Sequence, residues 1–113
     1  MANPNKDRGS QFERDVAAVF QEGGFPHVER RYGAGNRLDK GDLNGFAGAI
    51  VIECKNVQRI SLASIMDETA VGKANAQADL GLAVIKRRGK SARHAYAVLT
   101  LTEMVALLKA AGY

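Results

Sequence analysis

A chain of 113 residues, 46% hydrophobic and 25% charged, has the size and composition of one globular domain. No apolar run approaches the roughly 20 residues that cross a bilayer, no signal-peptide pattern opens the chain, and a single cysteine, Cys54, excludes an internal disulfide; a soluble, cytoplasmic protein with no membrane contact is expected. A net charge of +4 suits an anionic partner.

The first six residues are polar and are expected to be frayed. Phe12, Val16, Val19 and Phe20 then recur at helical spacing and predict a helix from about Asp7 to Gly23, stopped by Gly23-Gly24. Pro26 opens an extended stretch with Val28 and Tyr32 inward, and Gly33-Ala34-Gly35-Asn36 reads as a turn. A hairpin is expected next, one strand from Gly41 to Phe46 and a longer one from Ala49 to Lys55, turning at Asn44-Gly45. Ile50, Val51 and Ile52 are continuously apolar, as in a central strand covered on both faces. Residues Ser61 to Leu80 read as a long helix with Leu62, Ile65, Thr69 and Ala76 on its covered side, Gly72 allowing close packing and Gly81 as its C-cap. Two more strands, Leu82–Ile85 and His94–Leu99, flank a basic turn. Thr100 and Glu103 form a capping-box pattern that opens a last helix running to Gly112. The expected fold is a single α/β domain, a mixed sheet of about five strands flanked by helices.

The chemistry concentrates between Asp42 and Lys55. Residues i and i+2 of a strand face the same side, so Glu53 and Lys55 project together, beside Asp42 if the two strands pair. Mg²⁺ is satisfied by one or two carboxylates plus waters and substrate phosphate. Asp42 and Glu53 supply those carboxylates, the backbone carbonyl of Cys54 a third oxygen, and Mn²⁺ is an acceptable substitute. Such a metal activates water, and Lys55 adds positive charge at a scissile phosphate. A lone E-x-K is an ordinary solvated pair; here it closes an apolar strand and follows an acidic turn, which solvation alone does not explain. Cys54 faces the opposite side, a buried small hydrophobe rather than a nucleophile. On periodicity alone Glu13 reads as a surface glutamate paired with Arg14 or a neighbouring base; leaning into a cleft, it would join the metal site.

Two basic clusters flank this centre: Arg30, Arg31, Arg37 and Lys40 before Asp42, and Lys86, Arg87, Arg88, Lys90 and Arg93 near the far end of the chain. By themselves they are solvated loops; around a carboxylate centre they are candidates to hold a nucleic-acid backbone. Lys73 is a further candidate of the same kind, although a solvated lysine is its simpler reading. His27 and His94 lack any zinc-ligand spacing. Tyr32 and Tyr96 read first as core or rim residues.

Taken together, Arg8-Gly9-Ser10-Gln11-Phe12-Glu13-Arg14-Asp15, Gly24-Phe25, Gly41-Asp42 and Ile52-Glu53-Cys54-Lys55 resemble the PD-(D/E)XK nuclease superfamily, and within it the archaeal-type Holliday-junction resolvases. The resemblance spans most of the chain. It implies a restriction-endonuclease-like fold, metal-dependent hydrolysis of DNA, and a homodimer. Glu13, Asp42 and Glu53 would be the metal-binding acids and Lys55 the catalytic lysine. Gln77 would match a glutamine that some members carry on the helix after the E-x-K strand. Asp39-Lys40-Gly41-Asp42 lacks the proline often preceding the aspartate, and Tyr32–Arg37 lacks the serine often found in resolvases, so nuclease chemistry is better supported than junction choice. The leading expectation is a DNA endonuclease (a hydrolase serving DNA recombination and repair) that makes paired nicks in four-way junctions. The alternatives are the same chemistry on flap, nicked or duplex DNA, in repair or restriction, and a non-catalytic nucleic-acid-binding module.

Overall fold

Helix α1 (Pro4–Glu22) buries the stripe that its spacing marks out: Phe12, Val16 and Ala17 are at most 4% exposed. The structure, a computed structural model, describes residues 4–31 and 40–113. α1 begins three residues earlier than expected and takes in part of the stretch expected to be frayed. Phe20 meets Phe25 and Phe46 edge to face, with ring centroids 6.2 and 5.4 Å away.

After α1 come two short strands, β1 (Glu29–Arg30) and β2 (Leu43–Asn44), which pair antiparallel with Arg30 opposite Leu43. Strand β3 (Ile50–Lys55) pairs in parallel with β4 (Leu80–Ile85) through the crossover helix α2 (Leu62–Ala76). A parallel pair requires such a crossover. Strand β5 (Tyr96–Val98) returns antiparallel to β4, and α3 (Leu101–Ala110) closes the chain.

The architecture is therefore α/β; the described residues form three α-helices and ladders of two and three strands rather than one continuous five-stranded sheet. The expected hairpin is corrected in its pairing. β2 forms its ladder with β1, and one backbone bond, Asp42 N–H to Ile52 O at 2.8 Å, ties the segment to β3. Two other boundaries shift. His94 belongs to a 3₁₀ turn over Ala92–His94, and Gly81 lies inside β4 rather than capping α2. The cap is Gln77, which takes the left-handed conformation (φ 52°) and donates its N–H to Ala74 O.

β3 is covered on both faces, as its continuous apolar run requires. Ile52 and Cys54 join Phe12, Val16, Val28, Leu43 and Val84 in the core beneath α1. Val51 points the other way, at α2, where Ile65 packs on Ala83 and Ile85. Gly72 makes that approach possible: a Cβ there would stand 3.2 Å from Val51 Cγ1 and 3.3 Å from Glu53 Oε1. Gly41 is tighter still. It has φ +93°, and a Cβ would lie 2.9 Å from both Ile52 O and Val51 Cγ1. Gly41→Ala is therefore expected to destabilise the chain by about 2 kcal/mol or more, read as a lower urea midpoint at unchanged slope.

After β5, Thr100 and Glu103 form the expected capping box. Among the described residues no helix is long and apolar enough to cross a membrane.

Candidate functional site

Strand alternation puts Glu53 and Lys55 on the α2 face of β3. Glu53 is 2% exposed, a carboxylate enclosed under the helix beside Gly72. Lys55, at the strand end, reaches a partly open surface and pairs with Glu68 of α2, Nζ to Oε2 at 2.6 Å. Burial alone would lower the Lys55 pKa; the hydrogen bond and charge of Glu68, helped by Glu53 and Asp42, outweigh it and raise the pKa above its ordinary value. Lys55 is thus a permanent cation, suited to electrostatic stabilisation and not to taking a proton.

Asp42 arrives from the neighbouring segment, and its Oδ2 accepts the Cys54 N–H at 2.7 Å. The N–H and C=O of one strand residue point to the same side, so the Cys54 carbonyl also faces the Asp42 edge. The Glu53 carboxyl lies beside that of Asp42, close enough for the two to share a hydrogen bond when one of them carries a proton. Its pKa is raised, first by burial and then by the negative charge of Glu13, against the lowering effects of the Cys54 N–H, Glu53 and Lys55. Two carboxyl groups in contact, with a third close enough to repel, form a centre whose ionised state calls for a cation.

Glu13 projects from α1 toward this centre but is not solitary. Arg30 Nε donates to Glu13 Oε1 at 2.8 Å, and the same guanidinium donates to Ser10 Oγ at 3.1 Å. Of the partners expected for Glu13, Arg14 or a neighbouring base, Arg14 is excluded because it bonds Gln11, and the base that pairs is Arg30. Cys54 is buried, and its thiol pKa is driven far up by burial and by the charges of Asp42, Glu13 and Glu53, which holds it as the protonated thiol.

The basic candidates divide by engagement. Arg30 serves Glu13, Lys73 pairs with Glu103 at 3.3 Å, and Arg93 pairs with Glu22. Arg31 donates its backbone N–H to Asp42 O, so its main chain steadies the acid. Lys40, Arg88 and Lys90 are exposed; Lys86 donates to Lys90 O, and Arg87 stands over the Tyr96 ring at 5.4 Å. Arg37, with Tyr32 and the expected turn at 33–36, lies outside the described residues. Gln77 is misplaced for the role expected of it. The Asp79 N–H to Ala49 O bond sets this end of α2 against the start of β3, about 16 Å of strand away from Lys55.

Sequence reasoning missed Glu68. Its signal was available, since Glu68, itself exposed, lies one turn from the buried Ile65 and Gly72 of the helix that returns over the E-x-K strand. Of the two readings of Tyr96, core or rim, its 46% exposure matches the rim.

Among the described residues no group of three or more His, Cys, Asp or Glu side chains forms a ready-made metal cage. The donor set instead fits a hard cation held by one or two carboxylates and a main-chain carbonyl, with water and phosphate completing the octahedron. Comparison with family models, with curated proteins and with solved structures gives no match for this chain.

Proposed function

We propose that this chain is a divalent-metal-dependent DNA endonuclease of the PD-(D/E)XK type, acting on branched DNA such as a four-way junction. The observation that carries the reading is the meeting of the Asp42 and Glu53 carboxyls at β3, with Lys55 emerging two residues on from the same strand face. Asp42, Glu53 and the Cys54 carbonyl would hold Mg²⁺ or Mn²⁺, with Glu13 adding negative charge nearby. Bound there, the ion would neutralise charge on the phosphate and make water a nucleophile near neutral pH. The protein's own contribution is orientation and field. Cys54 N–H fixes the Asp42 carboxyl, Glu68 fixes the Lys55 ammonium, and the ammonium stabilises negative charge gathering on the phosphate oxygens.

Paired nicks require two copies of this site related by symmetry. The outer face of α3 offers a surface for that homodimer, with Leu101 79% and Val105 56% exposed beside Leu108. Contiguous apolar exposure of this kind marks an association surface.

The test is cleavage of a synthetic four-way junction, a flap and a linear duplex, each with Mg²⁺ and with EDTA. Paired symmetric nicks in the junction alone, abolished by EDTA, are the expected result. Equal cutting of all three would remove the junction preference and leave the nuclease. Binding without cutting of any would replace the enzyme with a nucleic-acid-binding module.

A further inference from the structure

A groove of about 830 Å³ opens immediately beyond Lys55, between the chain that leaves β3 and the basic turn that follows β4. One wall is Asn56, Val57 and Gln58; the other is Lys86, Arg87 and Arg88, with Arg8 of α1 and Tyr96 of β5 also on the lining. Four cations thus converge from two elements far apart in sequence, and among the described residues no acidic residue lines the groove. Among the described residues no carboxylate forms an ion pair with any of the four.

Charge alone would suit any phosphate backbone. The aromatic ring narrows the choice. Tyr96 is 46% exposed inside a cationic groove, with the Arg87 guanidinium over its ring. In a duplex the base faces are already stacked on one another, so an open aromatic face has a partner only when a base is unpaired. Asn56 and Gln58, both exposed, present amides that donate to and accept from the edges of such a base. Cationic walls, a stacking platform and amide groups form the combination that holds single-stranded nucleic acid with little sequence preference.

We infer that this groove seats an unpaired DNA strand, with Tyr96 and Arg87 stacking on a base while Arg8, Lys86 and Arg88 hold the phosphates. The inference rests on the nuclease reading for its biological setting, since it makes the substrate a junction whose strands are locally unpaired at the branch point, next to the scissile bond. The groove itself is independent of the metal and of the acids.

Fluorescence anisotropy in EDTA tests it, using the whole chain with a labelled oligothymidylate and with a blunt duplex. The single strand is expected to bind more tightly. Tyr96→Leu should weaken single-strand binding by about tenfold and leave duplex binding unchanged, while Tyr96→Phe, which keeps the ring, should retain the affinity. Arg8→Ala with Arg88→Ala should flatten the salt dependence, by roughly 0.7 in log–log slope per lost phosphate contact. Unchanged single-strand affinity in a folded Tyr96→Leu protein, or tighter binding of the blunt duplex, would overturn the assignment. Cleavage assays on the same preparations separate the two readings. Ring-dependent strand binding by a protein that cuts nothing supports the groove and removes the nuclease. Junction cutting with ring-independent binding does the reverse.

Discussion

Asp42→Asn is expected to lower Mg²⁺-dependent cleavage by about 10³-fold or more and, in EDTA, to raise the melting temperature by a few degrees. The two effects have one cause. The Asp42 carboxyl is enclosed, touches Glu53 and feels Glu13, so its pKa in the folded chain stands above the ordinary value. The folded state therefore holds that proton more tightly than the unfolded state. The resulting stability is fully present below the ordinary carboxylate range and is lost as pH rises through the folded pKa. At neutral pH the ionised acid is a burden that a divalent cation, bound as proposed, would relieve. An asparagine removes the charge, and its amide oxygen is still able to accept the Cys54 N–H, so the fold gains while the ion loses a ligand. Thermal melts with EDTA and with Mg²⁺, near neutral and at mildly acidic pH, check this. The parent should gain stability from Mg²⁺ only where its acids ionise, and the variant should gain little at either pH. An equal Mg²⁺ response in both proteins would remove Asp42 from the metal site.

Glu103→Ala should be the most damaging single change away from the site, costing about 3 kcal/mol, or a fall of roughly 10–15 °C in melting temperature. β5 ends at Val98, so the Gly81 N–H on that side of β4 has no strand opposite it. Glu103 Oε2 takes the strand's place at 2.7 Å and also meets Lys73. Its other oxygen accepts from the Thr100 hydroxyl and backbone in the capping box. Burial would raise the Glu103 pKa, but the donated bonds from Gly81, Thr100 and Lys73 outweigh it and hold the pKa below its ordinary value. That sign gives stability present above the ordinary carboxylate range and lost as pH falls through the folded pKa. An acid-denaturation series should show the parent losing this advantage and converging on the variant at low pH.

Glu103 also marks where sequence reading stops. Its capping-box role was legible because Thr100 and Glu103 are three residues apart on one helix turn. Its second role was not, because the vacancy at Gly81 exists only once β5 is known to end early. The buried face of α1, the doubly covered β3, the shared side of Glu53 and Lys55 and the closeness at Gly72 were all legible for the same reason: each follows from a local period of 3.6 or 2. The failures are long-range. Arg30 finds Glu13 across 17 residues, and Lys73, apparently a free solvated cation, is taken by α3. Gln77, read as helical, terminates its helix instead, because the chain must turn there to bring Asp79 onto Ala49. Glu68 was missed by looking for acids only where a motif placed them.

The parallel pairing of β3 and β4 has a metrical consequence. Both strands end at the same edge of the molecule, and the Lys86 N–H to Lys55 O bond at 2.9 Å locks those ends together. Tyr96 of β5 stands opposite Ile85, which stands opposite Lys55, so the aromatic ring and the lysine of the acidic centre are offset by two interstrand spacings, about 10 Å, a distance set by the sheet and not by a loop. Such a pair of strand ends acts as a ruler. A strand gripped at Tyr96 would present its phosphate to Lys55 at a constant count of nucleotides, whatever the sequence and however long the branch.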